Sequence, residues 1–394
     1  MGRNCRTGVL VALKSDFRLF KNISGRYAGP LLLIGLVGIV LYNLRLWRNE
    51  RNLADRLKAK RASSTTLSRQ PKISSLVAAW NAGNQVDAHL HSFLELNYPD
   101  IELILCAGGE DGTLERARRY ASERVIVLEQ HPGEGKQRAL ARCLKHASGE
   151  VIYLTDIDCR YVDGALEQLL APLVEEGEQA VTGGSYPLDE QANKVLPAYL
   201  WASDAASAAR FPTYINGILG RNAAITRAAL ERSGGLDFPA PTGTDYHLAQ
   251  RLNQRNIAIR FVSTSVVPTE YPEGLSVYRR KQSRWIRNLL LYGFQYGAWQ
   301  DVRRSLQTVV IGLMMLLAPL TTPVFGKLIL TPWALLVAQA ASSKLRYVLF
   351  TARVYQKPIS LRLLASILPL ALVDFAIWAS PILDLINPRR RTQW

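Results

Sequence analysis

Cysteine is scarce in this sequence, with four residues among 394. Cys5, Cys106, Cys143 and Cys159 have neither the paired spacing of a zinc site nor the regular pattern of a disulfide framework. This distribution excludes a small secreted scaffold held together by disulfide bonds. We therefore expect the central part of the chain to occupy a reduced, cytosolic environment.

Acidic residues are also few relative to basic ones, 32 against 48, which gives a formal net charge of +16. The basic residues cluster next to apolar stretches instead of spreading over one predicted face. The clusters are Arg45, Arg48, Arg51, Arg56, Lys58, Lys60 and Arg61; Arg279, Arg280, Lys281, Arg284 and Arg287; and Arg389 to Arg391. Basic residues that border apolar spans are typical of membrane proteins. We expect membrane lipids as partners and no nucleic acid.

No small-residue cleavage site follows the apolar residues near the N-terminus, which argues against a cleaved signal peptide. Residues 1–27 are basic and are predicted to lie at a membrane interface. Residues 28–44 are apolar and about long enough to cross a bilayer core of roughly 30 Å. We expect residues 1–50 to form an N-terminal membrane segment and residues 51–71 a basic linker.

Apolar segments return near the C-terminus, at residues 306–325, 328–343 and 361–386, so residues 301–394 are predicted to form membrane helices. The chain is then an integral membrane protein, expected in the plasma (inner) membrane. Crossings by all the apolar segments around a cytosolic domain would leave both basic termini outside, against the positive-inside rule. One segment is therefore expected to be interfacial or re-entrant.

The region between these segments, residues 72–300, alternates strand and helix signals. Strands are predicted at residues 73–79, 101–106, 125–128 and 151–154, and helices at residues 86–96, 114–122 and 136–146. This alternation is typical of an α/β domain built from parallel βαβ units, which bind ligands at the carboxyl ends of their strands.

Two carboxylates, Asp156 and Asp158, follow the fourth predicted strand and project to the same side of an extended chain. Such a pair can hold a divalent cation against a diphosphate; an ordinary acidic turn is the alternative. About twenty residues earlier, Gly133-Glu134-Gly135 brings backbone amides and Lys136 to a helix start, where a phosphate can bind. The loop lacks the Lys-Ser/Thr pair of an ATPase, and a plain helix entry is its alternative reading.

Two further groups suit transfer to a hydroxyl. Asp245 precedes a predicted helix at residues 246–253, where it is either a general base or a helix cap. Gln282 and Trp285 share a helical face, and Arg284 lies between them. Tryptophan stacks on sugar rings and arginine pairs with diphosphate; an interfacial aromatic belt is the alternative.

The order of these motifs resembles the membrane-bound members of glycosyltransferase family 2, which include cellulose, chitin and hyaluronan synthases and ceramide glucosyltransferase. The resemblance covers residues 73–291. It implies an α/β, GT-A (Rossmann-like) glycosyltransferase domain with N- and C-terminal transmembrane helices. It also implies an inverting, metal-dependent hexosyltransferase that uses Mg²⁺ or Mn²⁺ and a nucleotide-sugar donor, with a UDP-sugar as the family default.

The resemblance also implies roles for individual residues. These are Asp245 as the catalytic base; Asp158 as the metal ligand; and Trp80, Asn81, Asp111, Lys136, Asp156, Gln282, Arg284 and Trp285 as substrate-binding residues. The chain departs from the family where Cys106-Ala107-Gly108-Gly109 replaces the usual acidic pair after the second strand, which affects the standard contact to the nucleobase.

Two acceptors fit these motifs. One is a growing glycan or polysaccharide chain, because the Gln-x-x-Arg-Trp motif often accompanies chain extension in the family. The other is a membrane lipid that receives a single sugar, as with ceramide glucosyltransferase, because the apolar segments are few for a secretion channel. A binding protein on a degenerate transferase fold is a third reading. The retained Asp156, Asp158 and Asp245 argue against it, because unused buried carboxylates destabilise a fold.

Overall fold

The computed structural model describes residues 4–62 and 65–386, and for residues 4–27, 62, 324, 325, 327 and 386 it describes the backbone alone. The strands within it are β1 Ile73–Trp80, β2 Ile101–Gly108, β3 Val125–Glu129, β4 Val151–Leu154, β5 Ala180–Pro187, β6 Tyr214–Ile215, β7 Ala223–Thr226 and β8 Ile259–Thr269. They form one eight-stranded sheet in the order β3-β2-β1-β4-β7-β5-β8-β6.

The first half of the sheet is parallel, as the sequence predicts, and β1 to β4 include all four predicted strands. Ile73 of β1 is in register with Ile101 of β2 and with Val151 of β4. The carboxyl ends of these strands therefore meet at one edge of the sheet. The second half is mixed, because β7 runs antiparallel between β4 and β5, whereas β5 and β8 are parallel.

The helices cover both faces of this sheet and continue beyond it. They are α1 Asn4–Ala62, α2 Gly83–Leu94, α3 Thr113–Arg118, α4 Gly135–His146, α5 Asp163–Glu175, α6 Val195–Ala208, α7 Arg227–Arg232, α8 Thr244–Gln254, α9 Leu275–Tyr296, α10 Trp299–Leu317, α11 Thr322–Phe325, α12 Leu330–Tyr355, α13 Leu361–Ala379 and α14 Pro381–Ile386.

The hydrophobic core has two parts, one on each face of the sheet, because the side chains alternate between the faces along each strand. Val77 of β1 joins a buried cluster with Leu90 of α2 and Leu169 of α5, whereas its neighbour Leu76 joins a second cluster with Leu140 and Leu248 on the other face. Successive strand residues point to opposite faces, so each face packs its own helices. A third buried cluster joins α6 and α9 to α12 and α13, which fixes the C-terminal helices to the domain.

The first part of the basic linker predicted at residues 51–71 is helical, since α1 continues as far as Ala62. The reason is contact with α12, which the local sequence does not reveal. Asp55 accepts two hydrogen bonds from Arg353, at 2.6 and 2.8 Å, and Ala54 is completely buried beside Phe350. The prediction for residues 1–27 rests on side chains outside the described set.

Three helices among the described residues are long and apolar enough to cross a membrane: Ala28–Arg61, Trp299–Thr321 and Leu361–Leu385. The predicted segment at residues 328–343 is not among them. It belongs to α12, whose second half carries Lys344, Arg346 and Arg353. The Arg346 side chain is buried and donates to Asn43 Oδ1 at 2.7 Å and to Glu50, so its charge is paired inside the α1–α12 contact.

Candidate active site

A cleft opens at the carboxyl end of β4 and is closed on its other sides by the starts of α4 and α8 and by α9. We call it the main cleft. Its lining includes Lys136, Asp156, Asp158, Gly220, Arg221, Thr244, Asp245, Glu270, Tyr278, Lys281, Gln282, Arg284 and Trp285. Seven of the predicted site residues are thus brought together in one space: Lys136, Asp156, Asp158, Asp245, Gln282, Arg284 and Trp285.

Lys136 and Asp156 form an ion pair on the floor of the main cleft. Gly133 and Gly135 have positive φ angles of 75° and 72°, and this turn starts α4 with Lys136 in its first turn. Burial opposes the charge on Asp156, but the Lys136 ammonium outweighs it and holds the pKa of this carboxyl below its usual value. Asp156 is therefore ionised at neutral pH.

Asp158 behaves in the opposite way. Burial and the neighbouring Asp156 carboxylate raise its pKa, because two close negative charges disfavour each other. Its Oδ1 accepts a hydrogen bond of 3.4 Å from the Thr269 hydroxyl. Asp156 is thus firmly ionised, whereas a nearby cation would stabilise the ionised form of Asp158.

Oxygen donors of this kind suit Mg²⁺ or Mn²⁺. No cluster of three or more His, Cys, Asp or Glu side chains that could hold a metal occurs among the described residues. Asp156 and Asp158 therefore fit a cation that takes its remaining ligands from a bound diphosphate and water, which is usual for Mg²⁺ beside phosphates.

Asp245 lies in the first turn of α8, and its Oδ1 accepts a hydrogen bond of 2.9 Å from the backbone N–H of Tyr246. A Cβ placed on Gly220 would lie 3.2 Å from the Asp245 Cβ, so glycine lets the loop before β7 pack against this carboxylate. The second carboxylate oxygen has no hydrogen bond within the described residues. Asp245 has the half-buried position that a general base requires.

The helix α9 forms the opposite wall with Gln282, Arg284 and Trp285. Burial lowers the pKa of Arg284, and the Asp245 and Asp156 carboxylates partly offset this effect. The Trp285 ring is 40% exposed and the Arg221 guanidinium lies 5.7 Å from its centre. An exposed indole face beside an arginine is a surface on which a sugar ring can stack.

Trp80 lines a neighbouring cavity with Gln130, His131 and the loop of Gly133 to Gly135, and this cavity shares Lys136 with the main cleft. The Trp80 ring is 40% exposed there. It packs against Gly108, where any Cβ would come within 2.9 Å of the ring. The glycine at the end of β2 thus makes room for the Trp80 ring.

Asn81 and Asp111 do not line the main cleft or the Trp80 cavity. Asn81 Oδ1 accepts a hydrogen bond of 2.8 Å from the Glu110 N–H, and Asp111 accepts from the Gly83 N–H at 2.8 Å and from Thr113. Both side chains hold the turns after β1 and β2. Their predicted contact with substrate stays a prediction, and the structure gives each a turn-stabilising role.

Arg221 is a cleft residue to which the sequence pattern gives no role. It lies just before β7 and donates to Ser185 Oγ at 3.2 Å. Burial opposes its charge, but Tyr271, Asp204 and Asp158 outweigh this and raise its pKa. In the sequence, Arg221 is marked only by the run Gly220-Arg221-Asn222. Its position in the cleft follows from the sheet order, in which β7 lies between β4 and β5.

Residues 71–288, more than half of the chain, match the family described as "Glycosyltransferase like family 2". The chain belongs to this family. The mixed sheet of this glycosyltransferase-like chain and the family match confirm the predicted GT-A fold.

Two curated relatives match this family member over shorter stretches. The putative glycosyltransferase EpsE of Bacillus subtilis (strain 168) is 30% identical over 136 residues, which are 32% of this chain and 49% of the relative. WfgD of Escherichia coli, a UDP-Glc:alpha-D-GlcNAc-diphosphoundecaprenol beta-1,3-glucosyltransferase, is 25% identical over 104 residues, or 26% of this chain and 41% of the relative. The chain spans about half or less of the curated relatives it matches.

Among solved structures, the mannosyltransferase PcManGT from Pyrobaculum calidifontis, in complex with GDP-Man and Mn²⁺, aligns with 89% of this chain and 96% of its own. Its TM-score is 0.47 and its identity 19%. Glucosyl-3-phosphoglycerate synthase from Mycobacterium tuberculosis covers 60% of this chain and 82% of its own, with a TM-score of 0.38 and 21% identity.

Proposed function

We propose that this chain transfers a sugar from a nucleotide-sugar donor to an acceptor hydroxyl at a membrane. The observation that carries this proposal is the meeting of Lys136, Asp156 and Asp158 with Asp245 and Trp285 in one cleft. The first three suit a leaving nucleoside diphosphate, and the last two suit an attacking sugar hydroxyl. Family membership supports the same reaction class.

The donor lies between the Trp80 cavity and the main cleft in this proposal. Trp80 contacts the nucleoside, and Lys136, shared by both cavities, contacts the diphosphate. When bound at Asp158 and Asp156, Mg²⁺ or Mn²⁺ would neutralise negative charge on the diphosphate. A UDP-sugar is the proposed donor, and the printed name of the WfgD relative, which includes UDP-Glc, supports it.

The acceptor lies on the α9 side. Its sugar ring stacks on Trp285, and Gln282 and Arg284 contact the acceptor sugar and the donor diphosphate. Asp245 takes the proton from the attacking hydroxyl as the bond to the sugar carbon forms and the bond to the diphosphate oxygen breaks. This is a direct displacement, so we propose inversion at the anomeric carbon.

We propose a growing glycan chain as the acceptor, in line with the Gln-x-x-Arg-Trp motif. A membrane lipid or lipid-linked sugar is the second candidate, because an apolar cavity adjoins Trp285. The name of the WfgD relative, with its diphosphoundecaprenol acceptor, supports that second candidate.

We propose an integral membrane protein of the plasma (inner) membrane with its catalytic domain in the cytosol. The free thiols of Cys106, Cys143 and Cys159 support a reducing compartment. The three described helices that are long and apolar enough to cross a membrane support its place in a bilayer.

The test is transfer from a panel of radiolabelled nucleotide sugars in isolated membranes that contain the protein. Products are separated into an organic extract and an aqueous polymer fraction. Label in either fraction that requires wild-type protein and is lost in Asp245→Asn supports the proposal, and the fraction identifies the acceptor. Label that is incorporated equally by wild type and by Asp245→Asn would refute the proposed reaction.

A further inference from the structure

A second cavity lies behind the wall formed by Arg221 and Trp285. We call it the apolar cavity. It encloses about 870 Å³ when its open mouth is counted, and it shares Asp204, Leu219, Arg221 and Trp285 with the main cleft. The two cavities therefore adjoin each other at these four residues.

The lining of the apolar cavity combines polar groups, which include the wall shared with the main cleft, with a group of carbon-rich side chains. Polar groups lie at the shared wall, where Asp204 is exposed to the cavity and Arg221 donates to Ser185. The far side is formed by carbon-rich side chains: Leu57, Phe211, Phe261, Phe350, Val354 and Tyr355. Water gains no hydrogen bonds from such side chains, so a hydrocarbon group is favoured there.

The far side also has an exposed aromatic edge. Phe211 is 42% exposed, and its ring lies 5.0 Å from the buried ring of Phe261 in a T-shaped arrangement. Phe211 lies in the loop after α6, on the domain side of the cavity. A hydrocarbon group that covers this ring would remove apolar surface from water, which favours binding.

The remaining apolar residues come from the helices that lead toward the proposed membrane. Leu57 lies on α1, a candidate spanning helix, and packs with Phe350 and Val354 of α12. Toward its N-terminal side, α1 exposes Leu33, Ile34, Val40 and Leu41, each more than half exposed. The apolar cavity is thus bounded by a helix whose own outer surface suits lipid.

We propose that the apolar cavity binds the hydrocarbon chain of an amphiphilic acceptor whose sugar head group lies against Trp285, Arg221 and Asp204. This proposal rests on the acceptor position given under the proposed function. Of the two acceptors named there, the apolar cavity favours the second, a lipid-linked acceptor, over a free glycan chain, because a glycan needs polar partners along its whole length. The Arg61 guanidinium, 4.1 Å from the centre of the Tyr355 ring, provides a positive charge for a phosphate in such a lipid.

The experiment uses the full chain in nanodiscs and alkyl β-glucosides as probes, below the concentrations at which they form micelles. A glucoside with a diazirine at the end of its alkyl chain is crosslinked by light, and the labelled residues are mapped by mass spectrometry. Methyl, octyl and dodecyl glucosides then compete with it. We expect labelling at the far side of the apolar cavity, and octyl glucoside to compete at least about 10²-fold better than methyl glucoside.

Two variants with matched exposure sharpen the result. Phe211→Asp places a charge at the edge of the cavity, whereas Leu94→Asp, at a residue 41% exposed, places one at the end of α2 outside it. Phe211→Asp should weaken octyl glucoside binding at least about tenfold and leave methyl glucoside binding unchanged. Leu94→Asp should alter neither.

Competition that is independent of chain length, or labelling that avoids the cavity, would overturn the proposal. So would glucose oligosaccharides that bind more tightly with each added unit while alkyl chains have no effect, because that result indicates a glycan path. Metal-dependent binding of UDP to the wild-type protein is measured in parallel. If neither UDP nor any other nucleoside diphosphate of the donor panel binds, the proposed transferase function fails, whereas a chain-length failure with normal nucleotide binding rejects the lipid site alone.

Discussion

The donor side and the acceptor side of the main cleft are held in place by different parts of the chain. On the donor side, Lys136, Asp156 and Asp158 are fixed by β4 and the start of α4, inside the α/β domain. On the acceptor side, α9 is fixed by the C-terminal helices. Tyr278 donates to Asp374 of α13 at 2.8 Å, and Ser283 donates to Asp384 of α14. Donor binding should thus depend mainly on the α/β domain, and acceptor binding more strongly on the membrane-proximal helices.

Asp245→Asn should have the largest effect, because it removes the proton acceptor that both sides of the cleft surround. The amide keeps the size of the side chain, so binding of nucleoside diphosphate should stay near normal. Transfer should fall by about 10² to 10⁴-fold. Turnover and nucleotide affinity are measured together, with Asp189→Asn, whose side chain is 89% exposed, as the control. Near-normal turnover would leave Asp245 as a helix cap.

Asp158→Ala should damage the donor side selectively. We expect metal-dependent binding of nucleoside diphosphate to fall on the order of 10²-fold, with acceptor binding unchanged. Titration of Mg²⁺ or Mn²⁺ after removal by a chelator measures this effect. Full wild-type activity in excess chelator would exclude a metal from the reaction.

The same carboxylate predicts a pH dependence. The pKa of Asp158 is raised by burial and by Asp156, so protons compete with the cation at a higher pH than at an ordinary aspartate. Metal affinity should therefore fall as the pH is lowered through that raised pKa, while Asp156, whose pKa is lowered, stays ionised. Asp158→Asn should remove this part of the pH profile. A profile that is the same in both proteins would assign the titration to another group.

Trp285→Ala should damage the acceptor side by roughly 1 to 3 kcal/mol of binding free energy, with less effect on hydrolysis of the donor in the absence of acceptor. Trp285→Phe should recover part of the activity, since a smaller ring still offers an apolar face. Transfer and hydrolysis are measured in parallel on folded protein. Equal loss of both would place Trp285 at the donor.

A smaller effect distinguishes two roles of the hydrogen bond between α9 and α13: positioning α9 for the acceptor, and stabilising the fold. Tyr199 and Tyr278 each donate a hydrogen bond of 2.8 Å to Asp374, but only Tyr278 belongs to α9. Tyr199→Phe and Tyr278→Phe should each cost about 1 to 3 kcal/mol of unfolding free energy. Only Tyr278→Phe should raise the KM for acceptor, by several-fold. If both variants change that KM equally, α9 is not positioned through this contact.

The donor-side residues that line the main cleft can be predicted from the sequence for a physical reason. Asp156, Asp158 and Lys136 follow local strand and helix signals, and the edge of a parallel sheet brings such positions together. Asn81 and Asp111 also follow strands, yet their side chains hydrogen-bond to nearby turns, a choice that spacing alone does not decide.

The remaining differences arise from contacts that are distant in sequence. Residues 51–62 are helical because α1 packs on α12, about 300 residues away, through pairs such as Asp55–Arg353. Arg221 joins the cleft because β7 is inserted between β4 and β5. The spacing of apolar and polar residues predicts neither the α1–α12 contact nor the position of Arg221.

The configuration of the product tests the central claim most directly. NMR of the product formed from an α-linked nucleotide sugar reports which anomer is made. Direct displacement with Asp245 as the base predicts a β-linked product, which Asp245→Asn should form about 10² to 10⁴-fold more slowly. An α-linked product from the wild-type protein would contradict the single displacement on which the assignment of the whole cleft depends.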